Sequence, residues 1–225
     1  MQKFLICVTI LIILDIKVLE SGIIGIINDI DKSLESHQKP EEIEFLDSLK
    51  TVAKVLIKWT EKCAERVHEF SKNTTDIEAN RRLEKLEKAL IHSPKNPPRN
   101  FYEAILTIYV CFSADPDSIG TLDRYLTPFY INDIENGTLT EAEAKEYLQE
   151  LFLMLQARIN ISSDRFYRGG ESHFCIGGYT EDGEDGFNDL SRLIIDALME
   201  LPTWIPQISL RWTKKTPTEV LRYML

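Results

Sequence analysis

Closely spaced metal ligands and clusters of basic residues are missing from this sequence, and each absence excludes a class of function. The four cysteines (Cys7, Cys63, Cys111 and Cys175) form no C-x-x-C pair, and the four histidines show no ligand spacing. A metal site needs closely spaced ligands, and a disulfide framework needs a higher density of cysteines. We therefore predict no metal site, and we interpret the cysteines as small apolar residues.

Excess positive charge is also missing. The 225 residues carry a formal net charge of −10, with 44% hydrophobic and 28% charged residues. Nucleic-acid binding requires a positive field that displaces counterions, so nucleic acid is excluded as a partner. The composition is that of a globular protein with a sizeable core, and no internal repeat divides it.

The N-terminal segment is apolar over residues 4–14 and follows a single lysine. This run is too short to span a bilayer as a helix, so membrane association is not expected. Three interpretations remain open for residues 1–17: a buried helix or strand, a signal-like segment, or sequence that arises from an incorrect start codon or a truncated gene. A cytoplasmic location is expected, with secretion as the alternative.

Apolar residues recur at helical spacing through most of the chain. Helices are predicted over residues 18–34, 45–70, 76–91, 99–113, 122–134, 141–159 and 188–199, with a last one from residue 216. The second helix carries an apolar stripe that predicts a core-facing side of about seven turns. The stripe consists of Phe45, Leu49, Val52, Leu56, Trp59, Cys63, Val67 and Phe70.

Two short apolar segments, residues 173–179 and 207–211, are bounded by glycine or proline and predict strands. Residues 114–120 and 162–172 are predicted loops. Helical layers followed by strand, helix and strand predict a mainly α chain that holds the first strands of an α/β barrel.

Four segments, in order, resemble the glycyl radical enzymes, the superfamily of pyruvate formate-lyase and the glycyl radical dehydratases. The clearest is residues 118–130, Ser-Ile-Gly-Thr-Leu-Asp-Arg-Tyr-Leu-Thr-Pro-Phe-Tyr, which resembles the family's Gly-Arg-x-Asp-Gln-Tyr-Leu-Tyr-Pro-Phe-Tyr. The others are Trp-x-x-x-Cys-Ala-Glu at residues 59–65, Pro-Pro-x-Asn-Phe-Tyr-Glu-Ala at 97–104, and Ile-Gly-Gly with Asp-Gly, Asn-x-Leu-Ser and Asp at 176–196.

The resemblance implies a partial pyruvate formate-lyase-like domain over residues 18–225, a helical shell with the first strands of a ten-stranded barrel. Family members are anaerobic enzymes that carry a glycyl radical, installed by a radical-SAM activase, which generates a thiyl radical on a cysteine. The segment with the radical-bearing glycine and the segment with the cysteine would both lie beyond Leu225. We therefore expect no catalytic residue and no bound cofactor here, and a chain that is inactive alone. The implied partners are the activase and a small-molecule substrate, with a homodimer as a further possibility. The alternative is a non-catalytic helical interaction module.

The resemblance also selects residues of a substrate pocket. Leu46 and Lys54 match positions that contact substrate in choline- and diol-cleaving members, and eight residues of helix place them near one face. Lys54 replaces an acid, so it pairs with an anionic substrate group or is simply solvated. Ser118 matches a pocket serine of some dehydratases. His173 is a candidate for a side chain that faces the barrel, against the alternative of a packed strand histidine.

Other matched residues are expected to be structural. Gly120 is expected to permit a tight backbone approach, and Asp123 is expected to accept hydrogen bonds from nearby backbone donors. The remaining matches are Tyr125, Pro128, Gly177, Gly178, Asn188 and Ser191.

Overall fold

The computed structural model describes residues 2–114, 119–157, 172–203 and 206–223, with side chains from residue 17 onward. The chain divides into two compact units. One unit is Ile13–Arg99, and the other joins Asn100–Leu225 to Met1–Ile12. Each is described by itself below.

The unit Ile13–Arg99 is built from helices. Its elements are α1 (Gln2–Ser36, which begins in the other unit), α2 (Pro40–Asn73) and α3 (Ile77–His92). Helix α1 breaks at Gly22, whose φ of 67° and ψ of 174° are not helical. After the break, the N–H groups of Ile23 and Ile24 donate to the carbonyl oxygens of Pro94 and Lys95, at 2.9 and 3.1 Å. The loop after α3 therefore supplies acceptors for N–H groups that have no partner within the helix where α1 restarts after Gly22.

The apolar residues that recur at helical spacing in the predicted helix 18–34 are largely buried, whereas the predicted stripe of α2 is not. Those of α1 are Leu19, Ile23, Ile26 and Ile30, which are buried, and Ile27 and Leu34, which are half-buried. Phe45, Val52, Trp59 and Phe70 are 36%, 53%, 41% and 58% exposed, and the buried residues of α2 are Thr60 and Ala64. The prediction of a core-facing stripe was wrong for these four residues. The other four residues of the stripe, Leu49, Leu56, Cys63 and Val67, are half-buried. The buried side of α2 thus overlaps the predicted stripe only in part, because burial follows the partner that a helix packs against and not only its own pattern.

The second unit surrounds a small sheet. Its helices are α4 (Phe101–Ala114), α5 (Leu122–Glu135), α6 (Glu141–Ala157), α7 (Asp189–Met199) and α8 (Thr218–Tyr223). Its strands are β1 (Gly120–Thr121), β2 (His173–Gly177) and β3 (Gln207–Arg211). Each helix and strand predicted for this unit has a counterpart in the described residues, and the two-residue β1 begins at Gly120, inside the predicted loop 114–120.

The three strands are parallel and lie in the order β1-β2-β3. Thr121 pairs with Cys175, which pairs with Ser209, and Gly177 pairs with Arg211 at the carboxyl end. The mainly helical fold with the first parallel strands is therefore confirmed.

The core of this unit lies between the sheet and its helices. Phe174 of β2 is fully buried and stacks on Phe152 of α6, with ring centroids 5.7 Å apart. Ile176 is also fully buried, and α4 contributes Phe101 and Ala104. Because side chains alternate along a strand, His173 and Cys175 point to the other face of the sheet.

Candidate functional site

The carboxyl ends of the parallel strands bring together residues from three distant segments. The buried carboxylate of Asp123, in the first turn of α5, accepts hydrogen bonds from the Gly177 N–H at 2.7 Å and from Ser191 Oγ at 2.6 Å. Its other oxygen accepts the Arg124 N–H at 2.8 Å. One side chain thus connects α5, the end of β2 and the start of α7.

The start of α7 is fixed by a reciprocal cap. The Asn188 side chain accepts the Ser191 N–H, and Ser191 Oγ accepts the Asn188 N–H, both at 3.0 Å. This is a capping box, which satisfies two donors at the helix start. The Asn188 amide also donates to Thr127 Oγ1 at 3.1 Å, so the cap is anchored to α5.

The environment of Asp123 combines burial with several donors. Burial raises the pKa of the Asp123 carboxyl above its usual range, and hydrogen bonds from Ser191, Gly177 and Arg124 oppose that effect. A buried carboxylate is tolerated where its lone pairs are satisfied, and here three donors satisfy them.

A second cluster ties the end of β3 to the loop after β2. Asp185 Oδ2 accepts the Thr213 hydroxyl at 2.7 Å and also that of Thr216, and Asp185 Oδ1 accepts the Phe187 N–H at 3.0 Å. Burial acts to raise the pKa of Asp185, but hydrogen bonds from Thr216, Thr213 and Phe187 lower it overall.

The face of the sheet turned away from α6 is polar. His173 Nε2 lies 2.8 Å from Ser209 Oγ on the neighbouring strand, and Arg211 Nη1 lies 3.5 Å from Thr121 Oγ1. Strand alternation and register place six residues on this face, none of them acidic, and we call it the polar sheet face. Its residues are Thr121, His173, Cys175, Gln207, Ser209 and Arg211.

Two glycines shape the end of β2. Gly177 and Gly178 have φ values of 69° and 90°, a region that other residues rarely adopt. A Cβ on Gly178 would lie 3.2 Å from both Cβ and Nε of Arg211. At Gly120, the expected tight approach is made by a side chain and not by backbone, since a Cβ there would lie 2.4 Å from the Tyr125 hydroxyl.

The other candidate pocket residues are placed as follows. Leu46 is half-buried and Lys54 exposed on α2, in the helical unit. Ser118 lies outside the described residues, as does most of the predicted loop 162–172. His173 is half-buried on the polar sheet face, and Pro128 is exposed within α5.

Thr121, Ser209 and Arg211 were not among the candidates from the sequence. Alternation along the predicted strand 207–211 already placed Gln207, Ser209 and Arg211 on one face. The sequence did not predict that β3 pairs with β2, which brings these residues onto the same face as His173.

The described residues contain neither a cluster of metal ligands nor a membrane-crossing helix. No group of three histidine, cysteine, aspartate or glutamate side chains in the described ranges is arranged to hold a metal ion. Among the described helices, none combines the length and apolarity needed to cross a membrane.

The match to a family model covers most of the chain. Residues 11–225 match the model described as pyruvate formate lyase-like. The chain therefore belongs to the pyruvate formate lyase-like family, as its sequence motifs predicted.

Curated relatives and a solved structure agree with this assignment. The chain is 26% identical to isethionate sulfite-lyase of Bilophila wadsworthia, over 91% of this chain and 27% of the relative. It is 30% identical to the 4-hydroxyphenylacetate decarboxylase glycyl radical subunit of Clostridium scatologenes, over 79% of this chain and 21% of the relative. The structure of the B12-independent glycerol dehydratase from Clostridium butyricum aligns with a TM-score of 0.81 and 26% identity, covering 92% of this chain and 28% of that one. The chain thus spans about a quarter of the length of these proteins.

Proposed function

We propose that this chain forms part of a glycyl radical lyase or dehydratase, in which residues 18–225 supply the helical shell and the first barrel strands. The observation that carries the proposal is the hydrogen-bond network of Asp123, Gly177, Asn188 and Ser191. These residues come from two separate family motifs, and the fold joins them at the carboxyl ends of parallel strands, where α/β proteins bind ligands.

In this proposal the network is structural. Asp123, Asn188 and Ser191 fix the starts of α5 and α7, while Gly177 and Gly178 leave space above the end of β2. Tyr125 packs beside Gly120 and closes the junction between β1 and α5, and Pro128 belongs to the same helix.

The wall of a substrate pocket is the second part of the proposal. His173, on the polar sheet face, is one proposed contact to a small organic substrate. Ser118, Leu46 and Lys54 are each proposed separately as contacts, on the family resemblance alone. The family's glycyl radical and the thiyl radical that it generates supply the bond cleavage, and we propose that both are carried by protein sequence outside this chain. The proposed partners are a radical-SAM activase and a second copy in a homodimer, in an anaerobic cytoplasm.

The test is anaerobic activation followed by electron paramagnetic resonance. The reading frame is sequenced past the codon for Leu225, and its full product and the 225-residue chain are each incubated with a radical-SAM activase. We expect a glycyl radical signal from a longer product that contains a cysteine loop and an Arg-Val-x-Gly-Tyr segment. We expect no signal from the 225-residue chain.

The matched control is the longer product with the glycine of that segment changed to alanine, which should lose the signal without loss of folding. A radical signal from the 225-residue chain would contradict the proposal. A downstream stop codon, with no longer product in the cell, would contradict it too and would favour the alternative of an interaction module.

A further inference from the structure

We propose that Arg211 forms an oxyanion-binding site on the polar sheet face, for a ligand that carries a carboxylate or sulfonate group. The inference rests on the proposed function, because it assigns a chemical class to the substrate of the same fold. It starts from the position of Arg211 at the last residue of β3, paired with Gly177 of β2. The carboxyl end of a parallel strand is where α/β folds bind their ligands.

The Arg211 side chain lies across the end of the sheet. Its Cβ, Nε and Cζ would lie 3.2–3.4 Å from a Cβ on Gly178, so the side chain runs directly above a backbone that has no side chain of its own. Its terminal Nη1 reaches Thr121 Oγ1, 3.5 Å away on β1. The Arg211 side chain therefore extends from β3 over the end of β2 to β1. This path is open because Gly178 has no side chain.

The Arg211 guanidinium group has no carboxylate partner among the described residues. Within the part of the chain that the structure describes, Arg211 forms no ion pair, although the sequence carries a net charge of −10. An arginine fork donates two parallel hydrogen bonds and matches the planar carboxylate or the sulfonate oxygens. The Thr121 hydroxyl accepts from Arg211 and keeps its own proton to donate, and the six residues of the polar sheet face include no carboxylate.

Arg124 provides a matched comparison. It is also exposed and lies at the same end of the sheet, but its Nη2 donates to the Tyr179 carbonyl oxygen at 2.6 Å. Its guanidinium group is thus used within the fold, whereas the one side-chain hydrogen bond of Arg211 to a described residue is the long contact to Thr121. We therefore expect anion binding to depend on Arg211 and not on Arg124.

The test follows the arginine Nε–H resonances of the ¹⁵N-labelled 225-residue chain by nuclear magnetic resonance at constant ionic strength. Three probes share a short hydroxyalkyl chain: isethionate carries a sulfonate, 3-hydroxypropionate a carboxylate, and 1,3-propanediol no charge. We expect a saturable shift of the Arg211 resonance with one or both anions and none with the diol. The anion with the lower dissociation constant identifies the group, sulfonate or carboxylate, that the site prefers.

Variants separate a site from general charge effects. Arg211→Lys should keep the positive charge but weaken anion binding. Arg211→Gln should weaken anion binding by about tenfold or more, the loss expected for a charge-assisted hydrogen bond. Binding to both variants is measured from the chemical shifts of backbone amides near Gly178. Arg124→Gln should bind as the parent does. Equal weakening in Arg124→Gln, an unsaturable shift, or an equal shift with the diol would overturn the inference.

The two proposals can fail independently. If the longer product forms a glycyl radical but the anions do not bind, only the assignment of Arg211 is refuted. If the anions bind at Arg211 but no radical forms in any product, the site stands and the radical-enzyme function is refuted.

Discussion

Replacement of Asp123 by alanine is the most direct test of the network that joins α5, β2 and α7. The substitution removes the acceptor of two buried donors, the Gly177 N–H and the Ser191 hydroxyl. Each buried donor left without a partner costs about 1–3 kcal/mol, so the free energy of unfolding should fall by about 2–6 kcal/mol. The Arg124 N–H also loses its acceptor, but it lies at a helix start and is partly exposed, so it adds less.

The measurement is urea denaturation followed by circular dichroism, with hydrogen exchange of the Gly177 amide as a local probe. The matched control is Asp182→Ala, because Asp182 is exposed in the turn after β2 and should change stability by less than about 0.5 kcal/mol.

A double-mutant cycle isolates the pair of side chains. Ser191→Ala removes the same hydrogen bond to Asp123 and also the bond that Ser191 accepts from Asn188. The double variant should therefore lose less stability than the sum of the two single variants, with a coupling energy of about 0.5–3 kcal/mol. An Asp123→Ala variant as stable as Asp182→Ala, with unchanged exchange at Gly177, would refute the reasoning.

Three further predictions concern other parts of the fold. Because the pKa of Asp185 is lowered in the folded state, its contribution to stability is present above the unfolded value of about 3.9 and is lost as pH falls through the folded pKa. Asp185→Asn should therefore remove part of the acid sensitivity seen in urea titrations between pH 5 and pH 2, and a parallel loss at all pH values would count against it. Gly22→Ala should destabilise more than Gly137→Ala. Both glycines have φ of 67°, which costs about 1 kcal/mol for alanine, but only at Gly22 would the new Cβ lie 2.6 Å from backbone atoms. Equal thermal shifts would contradict this. Asn188→Ala should lower the free energy of unfolding by about 1 kcal/mol through loss of the α7 cap, measured by urea denaturation, and an unchanged value would show the cap to be dispensable.

Local pattern was sufficient to predict most helices and strands. The helix predicted from residue 188 is capped by Asn188, and the helix predicted from residue 141 is preceded by Thr140, which forms reciprocal bonds with Glu143. These signals work because a cap and its partner lie three residues apart, so the sequence holds both halves of the interaction. The family motifs likewise identified the family without any structure.

Burial was predicted less well. Val52, Trp59 and Phe70 fit an ideal apolar stripe and are nevertheless exposed, because the stripe does not specify which neighbour covers it. The two residues of β1 are too few for an alternating pattern, and they form a strand only because Phe174 and Cys175 pair with them. The break at Gly22 depends on carbonyl groups of a loop about seventy residues later in the chain.

The sequence by itself determined the family, the order of the helices and of the strands β2 and β3, and the residues of the signature motifs. Tertiary structure decided what those residues do together. Asp123 meets Gly177 and Ser191 across separations of 54 and 68 residues, and Arg211 reaches Thr121 across 90. Such contacts depend on strand order and register, which are set by the packing of the whole unit and are therefore not encoded in any local pattern.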